Sequence, residues 1–147
     1  MKNVYVIGPV RGRPDSALLK KFERAYDKIQ DDLGPAGFNI ILPDAEQWLE
    51  QASPKAFYEE IARRINDSDI VISVFPEENV SAHVETTMAS FLEKAQYVIS
   101  DNVENLSRLL RGLPNVVKIA KPAELGVVLT EIRQKHLEPP PMMLSHG

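Results

Sequence analysis

Hydrophobic positions follow two rhythms along this chain. Five short runs, at 4–7, 38–42, 70–75, 97–99 and 116–119, are rich in β-branched residues and several are unbroken by polar ones. A strand reads this way when both of its faces are covered. Between the runs the apolar spacing changes to three and four. Over 15–33, Leu18, Leu19, Phe22, Tyr26, Ile29 and Leu33 share one stripe, and Gly34-Pro35 stops the helix. Ser53-Pro54 opens a second helix through Phe57, Ile61 and Ile65, with proline at the first helical position. Residues 82–93, 103–110 and 122–136 supply three more.

A helix after every strand predicts parallel pairing through right-handed crossovers. The expected fold class is therefore α/β: a three-layer flavodoxin- or Rossmann-like domain with a five-stranded parallel sheet in the order 2-1-3-4-5. Residues 1–138 make one domain. The tail at 139–147 begins with three prolines and cannot continue a helix, so it is either a disordered end or an arm packed on a neighbouring subunit.

Composition narrows the function classes. The 147 residues are 44% hydrophobic and 26% charged, enough for a real core. A net charge of −4 argues against a protein that coats polymeric nucleic acid. The absence of cysteine excludes disulfides, thiol nucleophiles and cysteine-held zinc. His83, His136 and His146 are too scattered to suggest a metal site, and no cofactor is expected. No basic-plus-apolar leader opens the chain and no apolar run could span a bilayer, so no membrane partner and a cytoplasmic location are the expectations.

In a sheet of this order, ligands sit beyond the carboxyl ends of strands one and three, where strand order reverses. Two loops fall there: residues 8–13 and 76–85. The first joins Gly8, Pro9, Val10, Arg11, Gly12 and Arg13 ahead of a helix start. Backbone N–H groups, the positive helix end and a guanidinium converge in such a turn to hold an anion. It is neither a P-loop nor a dinucleotide fingerprint, since both glycine patterns are absent. Solvated surface arginines are the other reading of Arg11 and Arg13, and turn geometry is the plain reading of Gly8 and Gly12.

In the second loop, Ser81 reads as the N-cap of the third helix. A capping-box glutamate would then stand at 84, where the chain has Val84. Glu85 is left either as a first-turn acid favoured by the helix dipole or as a carboxylate held in the cleft, acting as nucleophile or base. Asn79 and Ser81 are expected to face the substrate. Asp67 and Asp69 stand at the amino end of strand three and read as structural. Glu60 either pairs with Arg64 at i,i+4 on a solvated face or reaches the cleft as a second acid. Tyr5, inside strand one, needs a polar partner for its phenol.

These residues resemble the nucleoside 2-deoxyribosyltransferase superfamily, and within it the 2′-deoxynucleoside 5′-phosphate N-hydrolases. Tyr5-Val6-Ile7-Gly8-Pro9-Val10-Arg11-Gly12 is similar to that family's opening strand and turn. Ser68-Asp69-Ile70-Val71-Ile72 is similar to its third strand, and Glu85, sixteen residues after Asp69, falls where the family has its catalytic glutamate. The resemblance implies that Glu85 attacks the anomeric carbon and the base departs. Water or another base then resolves the glycosyl-enzyme, as in retaining glycoside cleavage. It implies that Tyr5 lies by the sugar and nucleophile, and that Arg11 with the backbone of 8–12 holds a 5′-phosphate. A homo-oligomer, dimer or larger, is also implied. Three positions depart from the pattern: Ile61 stands in place of the helix aspartate, with Glu60 beside it as the available acid. Pro9 replaces a hydroxyl residue, and Val80-Ser81-Ala82-His83 replaces a small-residue turn.

The leading expectation is cleavage of the N-glycosidic bond of a nucleoside 5′-monophosphate or related nucleotide by Glu85. The alternative is a catalytically altered or inactive module on the same fold that binds a small nucleotide or nucleoside as a sensor. A flavodoxin or a phosphoacceptor receiver fits poorly, because the first strand ends in Gly8-Pro9 with neither a hydroxyl-rich phosphate loop nor an acid pair.

Overall fold

A computed structural model describes residues 1–11 and 17–137, with side chains from residue 20 in the second span. The helix start expected at 15–16 and the tail at 139–147 lie outside the described residues. Five strands, β1 (Asn3–Ile7), β2 (Asn39–Ile41), β3 (Ile70–Val74), β4 (Ala95–Ile99) and β5 (Val116–Ala120), form one sheet in the order β2-β1-β3-β4-β5. Every pairing is parallel, with Val4 opposite Ile40 on one side and Ile70 on the other. All five residues of β3 are buried, as an unbroken apolar run in a doubly covered central strand requires.

The two-residue period of the strands divides the core between two helical layers. Val4, Val6, Ile70 and Ile72 face α1 (Ala17–Leu33) and α6 (Leu125–His136), where Phe22, Tyr26, Ile29, Val128 and Leu129 meet them. Tyr5, Ile7 and Val71 point the other way, to Ile61 and Ile65 of α3 (Pro54–Asn66) and Ala82 and Ala89 of α4 (Val80–Phe91). That alternation is what sends the Tyr5 side chain into the layer that carries Glu85. The expected start of α3 holds: Pro54 is its first residue, and the Ser53 hydroxyl accepts from the Ala56 amide at 3.2 Å.

Three local expectations are corrected. The N-cap of α4 is Asn79, whose side chain accepts from the Ala82 amide at 3.1 Å, so the helix begins at Val80, two residues earlier than a Ser81 cap would start it. The helix expected at 103–110 divides into a 3₁₀ turn (Val103–Asn105) and the short α5 (Arg108–Arg111). Ser107 causes the break, since its hydroxyl takes the Leu109 amide and starts a new helix there. A five-residue helix, α2 (Gln47–Gln51), was not foreseen. It buries Leu49 alone among its residues and so leaves no periodicity to read.

A closed polar network inside the core fixes α4 against the sheet. Ser73 on β3 donates to the Gln96 side-chain oxygen on β4 at 2.9 Å and lies 2.9 Å from the Thr86 hydroxyl on α4. Gln96 donates in turn to the Thr86 carbonyl (3.1 Å) and the Ser90 hydroxyl (3.0 Å). All four residues are buried. Substituting Gln96→Leu strips partners from Ser73, Thr86 and Ser90 together. It is expected to destabilise the fold by about 1–3 kcal/mol in urea denaturation, with an unchanged denaturant slope.

Candidate active site

The cleft lies beyond the carboxyl ends of β1 and β3, at the reversal of strand order, and encloses about 340 Å³. A void of this size is at the small end of ligand sites. Seven of the expected site residues border it: Tyr5, Gly8, Pro9, Val10, Asn79, Ser81 and Glu85. Gly12 and Arg13 lie outside the described residues.

At the cleft floor the Tyr5 hydroxyl donates to Glu85 Oε1 at 3.1 Å. Tyr5 is 6% exposed. Burial pushes the Glu85 carboxyl up to about 7, and the hydrogen bond from Tyr5 offsets part of that rise. Burial, together with the facing Glu85 charge, drives the Tyr5 phenol well above its ordinary value, so it remains a donor. Because Asn79 caps α4 and Val80 is its first residue, Glu85 stands in the second turn of the helix, beyond the reach of the dipole effect that a first-turn acid enjoys. What holds it is Tyr5 beside it and the clamp on its neighbour Thr86.

The entry to α4 is also set by backbone strain. Phe75, the residue after β3, has a left-handed conformation (φ 48°, ψ 54°), which is costly for a bulky side chain. Its ring is held edge-on to Phe22 with centroids 5.1 Å apart, and the Lys21 ammonium lies 3.9 Å from its centre. Lys21 in turn bonds Glu78 and Asp101 at 2.5 and 2.6 Å.

Gly8 has a different reason from the one expected. Among the described glycines Gly37 takes a positive φ and Gly8 does not. A Cβ at position 8 would instead lie 2.3 Å from the Tyr26 hydroxyl. That hydroxyl donates to the Pro9 carbonyl at 2.8 Å, so the turn is pinned from beneath by α1. Pro9 has no N–H to offer a ligand, but its carbonyl is the anchor of the turn.

Arg11 stands at the mouth, not on the cleft wall. Its Nε bonds Asp44 Oδ1 at 2.5 Å and its amide donates to the Pro43 carbonyl at 2.7 Å, tying the opening turn to the segment after β2. Glu60 is corrected outright as a cleft acid. It bonds Arg63 Nε at 3.0 Å and Arg64 Nε at 2.7 Å, and these bonds, Arg63 first, hold its carboxyl down to about 2. Ile61, 7% exposed, borders the cleft in its place. The register of α3 allows nothing else, because Ile61 and Ile65 form the stripe that packs on Tyr5, Ile7 and Val71. Asp67 and Asp69 are structural: Asp67 pairs with Arg63, and Asp69 accepts from the Asn3 amide at 2.8 Å.

Several cleft residues escaped the sequence reading. Asp44, Glu46 and Glu50 come from the segment after β2, and Arg64 from α3. Arg64 grips Glu46 through both terminal nitrogens, at 2.5 and 2.9 Å, and this pairing holds the Glu46 carboxyl below its usual range. The missed signal was topological. Residues that follow β2 leave the sheet at the same end as the turn after β1.

No family model matches the chain, and no curated protein does. Solved structures do. The chain is similar to the CMP N-glycosidase BcmB of Clostridium botulinum (18% identity, TM-score 0.63, covering 90% of this chain and 98% of that one). A conserved protein from Enterococcus faecalis V583 is similar at 14% identity and TM-score 0.63, over 92% and 99%. A 2-deoxyribosyltransferase from Bacillus psychrosaccharolyticus follows at 15% identity and TM-score 0.59, over 86% and 90%. At these identities the likeness is one of fold.

A carboxyl raised by folding costs stability as pH rises, because the unfolded chain gives up the proton first. For Glu85 the loss runs from its ordinary value of 4.5 to about 7 and persists above. Glu85→Gln removes that loss. The variant is expected to match the parent near pH 4 and to exceed it by on the order of 3 kcal/mol at pH 8, measured by urea denaturation across pH.

Proposed function

We propose that the cleft cleaves the N-glycosidic bond of a nucleoside or nucleotide, with Glu85 as nucleophile. The observation that carries this reading is the Tyr5–Glu85 pair: a desolvated carboxyl on a clamped helix, hydrogen-bonded by a buried phenol at the ligand end of the sheet. The resemblance of the first hundred residues to the nucleoside 2-deoxyribosyltransferase superfamily supports it, as does a fold shared with a CMP N-glycosidase and a 2-deoxyribosyltransferase.

In this reading Tyr5 holds Oε1 and leaves Oε2 to meet the anomeric carbon. The new C–O bond forms as the C–N bond to the base breaks, through an oxocarbenium-like transition state. Water, or a second base, then attacks the same carbon and restores the carboxylate. In this reading the turn at 8–11 receives the 5′-phosphate of a nucleotide, and Arg11 shares its guanidinium between that phosphate and Asp44. The second reading, a nucleotide-binding module without turnover, draws on Ile61, which brings hydrocarbon where the family pattern has an acid.

Chromatography of free base after incubation with ribo- and deoxyribonucleosides and their 5′-monophosphates separates the two. Base release that disappears in Glu85→Ala is the expected outcome, with kcat/KM rising as pH passes through about 7 and then levelling, since the free carboxylate attacks. Tight binding without release from any substrate would leave the binding module. If Arg11 holds the phosphate, Arg11→Ala should weaken nucleotide binding by about tenfold or more and nucleoside binding little. Equal losses in calorimetry would remove Arg11 from that role.

A further inference from the structure

Helix α4 lacks the charged outer face that a surface helix ordinarily has. The outer side of α1, by contrast, exposes Lys20, Glu23, Arg24, Asp27 and Asp31 to water. Over Val80–Phe91 the one Asp, Glu, Lys or Arg is Glu85, which borders the cleft. What α4 leaves exposed is a stripe of Val80 (81% exposed), Val84 (54%), Thr87 and Phe91 (72%). Its inner side packs Ala82 and Ala89 with Tyr5, Ile7 and Val71 of the sheet. A helix with apolar residues on both sides belongs in an interior.

The neighbouring helix shares the feature. Residues 54–59, the first six of α3, are all exposed, and they include Phe57 and Tyr58 (58%). Between α3 and α4 runs a groove lined by Tyr58, Ala62, Val84, Met88 and Phe91 among others. At these exposures Val80, Val84, Phe91 and Tyr58 alone leave on the order of 500 Å² open to water. An ordinary monomer rarely shows a larger apolar patch. With Thr87, Met88 and a polar rim, the face approaches the roughly 800 Å² that each partner of a stable pair buries.

Two features identify the cover as another copy of this chain. The stripe at 80, 84, 87 and 91 is spaced four, three, four, which reads the same in both directions along the helix. A two-fold axis between Val84 and Thr87 therefore sets Val80 against Phe91 and Val84 against Thr87 in an antiparallel pair of helices. The second feature is charge. A stripe without charge meets itself free of like-charge repulsion and gives a charged partner nothing to grip. Thr87 does not spoil the match, because its hydroxyl donates to the His83 carbonyl at 2.9 Å and needs no partner outside the helix.

We propose that two copies of this chain associate through α4 and the start of α3, with α4 packed antiparallel on its own copy about an axis between Val84 and Thr87. The interface adjoins the rim of the cleft. Phe57 and Ser81 border the cleft, and the residues beside them in sequence, Tyr58 and Val80, belong to the apolar face. The pairing stands apart from what the cleft does, so it holds for an enzyme and for a binding module alike.

Sedimentation velocity from about 1 to about 100 µM protein tests it, and a dimer is the expected species. Phe91→Glu and Val84→Lys change exposed side chains, so the far-UV circular dichroism should be unaltered. Each substitution enters a two-fold interface twice, and each is expected to raise the dimer Kd about 100-fold or more. The register is read separately. The chain has no cysteine, so single cysteines introduced at exposed positions report cleanly. Under mild oxidation a mixture of Val84→Cys and Thr87→Cys is expected to form intermolecular disulfides more completely than either variant alone, because the axis pairs unlike positions. This readout decides even where a charged substitution unsettles the fold.

A parent that is monomeric over the whole range overturns the proposal and leaves the face to a different protein or to the chain's own residues 139–147. A dimer that persists in both charged variants overturns it as well, since another surface then joins the copies. Disulfides that form equally within and between the two cysteine variants overturn the register.

Discussion

The hydrogen bond from Tyr5 to Glu85 depends on a carboxyl kept where water would otherwise solvate it. Burial at that position lifts the Glu85 proton affinity to about 7, a penalty on the charged form on the order of 3 kcal/mol. The rest of the site can be read as what makes that penalty tolerable. The strand period turns Tyr5 toward α4, Asn79 caps the helix that carries Glu85, and the Ser73–Gln96–Thr86 network prevents that helix from rolling to release the acid. Loosening the helix would let the side chain find solvent and its proton affinity fall toward the ordinary value, whereas losing the Tyr5 hydroxyl alone would raise it further, because that bond favours the charged form. A raised carboxyl is thus a sign that the surroundings hold it in place.

The arginines of the cleft tell a complementary story. Arg64 serves Glu46 and Glu60 together, and Arg63 serves Glu60 and Asp67. Such pairs on a partly exposed surface add little to stability. Their effect here is on orientation and protonation. They keep α3 from presenting an acid to the cleft, and they link α3 to the segment after β2 so that Glu46 stands on the wall beside Tyr5. Glu85, whose carboxyl is pushed toward neutrality, is hydrogen-bonded by a phenol.

Much of this was legible in the sequence because it follows from periodicity and topology. Unbroken β-branched runs marked the strands, their alternation with helices set the order 2-1-3-4-5, and that order placed Gly8, Pro9 and Val10 of the first loop and Asn79, Ser81 and Glu85 of the second around one crevice. Tyr5 needed a polar partner and has one in Glu85. What escaped depended on contacts between segments distant in sequence. Glu46 and Arg64 are eighteen residues apart and meet because β2 and α3 flank the same edge of the cleft. Asn79 was passed over as a cap because Ser81 has an equally good side chain, and the choice was made by where the chain emerges from the strained Phe75. Gly8 was read as a turn glycine, whereas it is small because Tyr26, seen from sequence only as a core residue, raises its hydroxyl to that spot.

The same logic bears on how an anion would be received at the opening turn. A guanidinium already bonded to a carboxylate gives a phosphate only the difference between two charge-assisted bonds, and Asp44 is close enough to repel what Arg11 attracts. The turn is therefore not a bare anion trap of the glycine-rich kind. Over its described residues the backbone is pinned from below by Tyr26 and from the side by the Arg11 amide on Pro43, and the Arg11 charge is already met by Asp44. Deeper in the cleft, Tyr5, Glu46 and Glu85 set a buried phenol between a desolvated carboxyl and one that Arg64 holds, so the balanced pair at the mouth and the hydrogen-bonded acid at the floor are distinct environments.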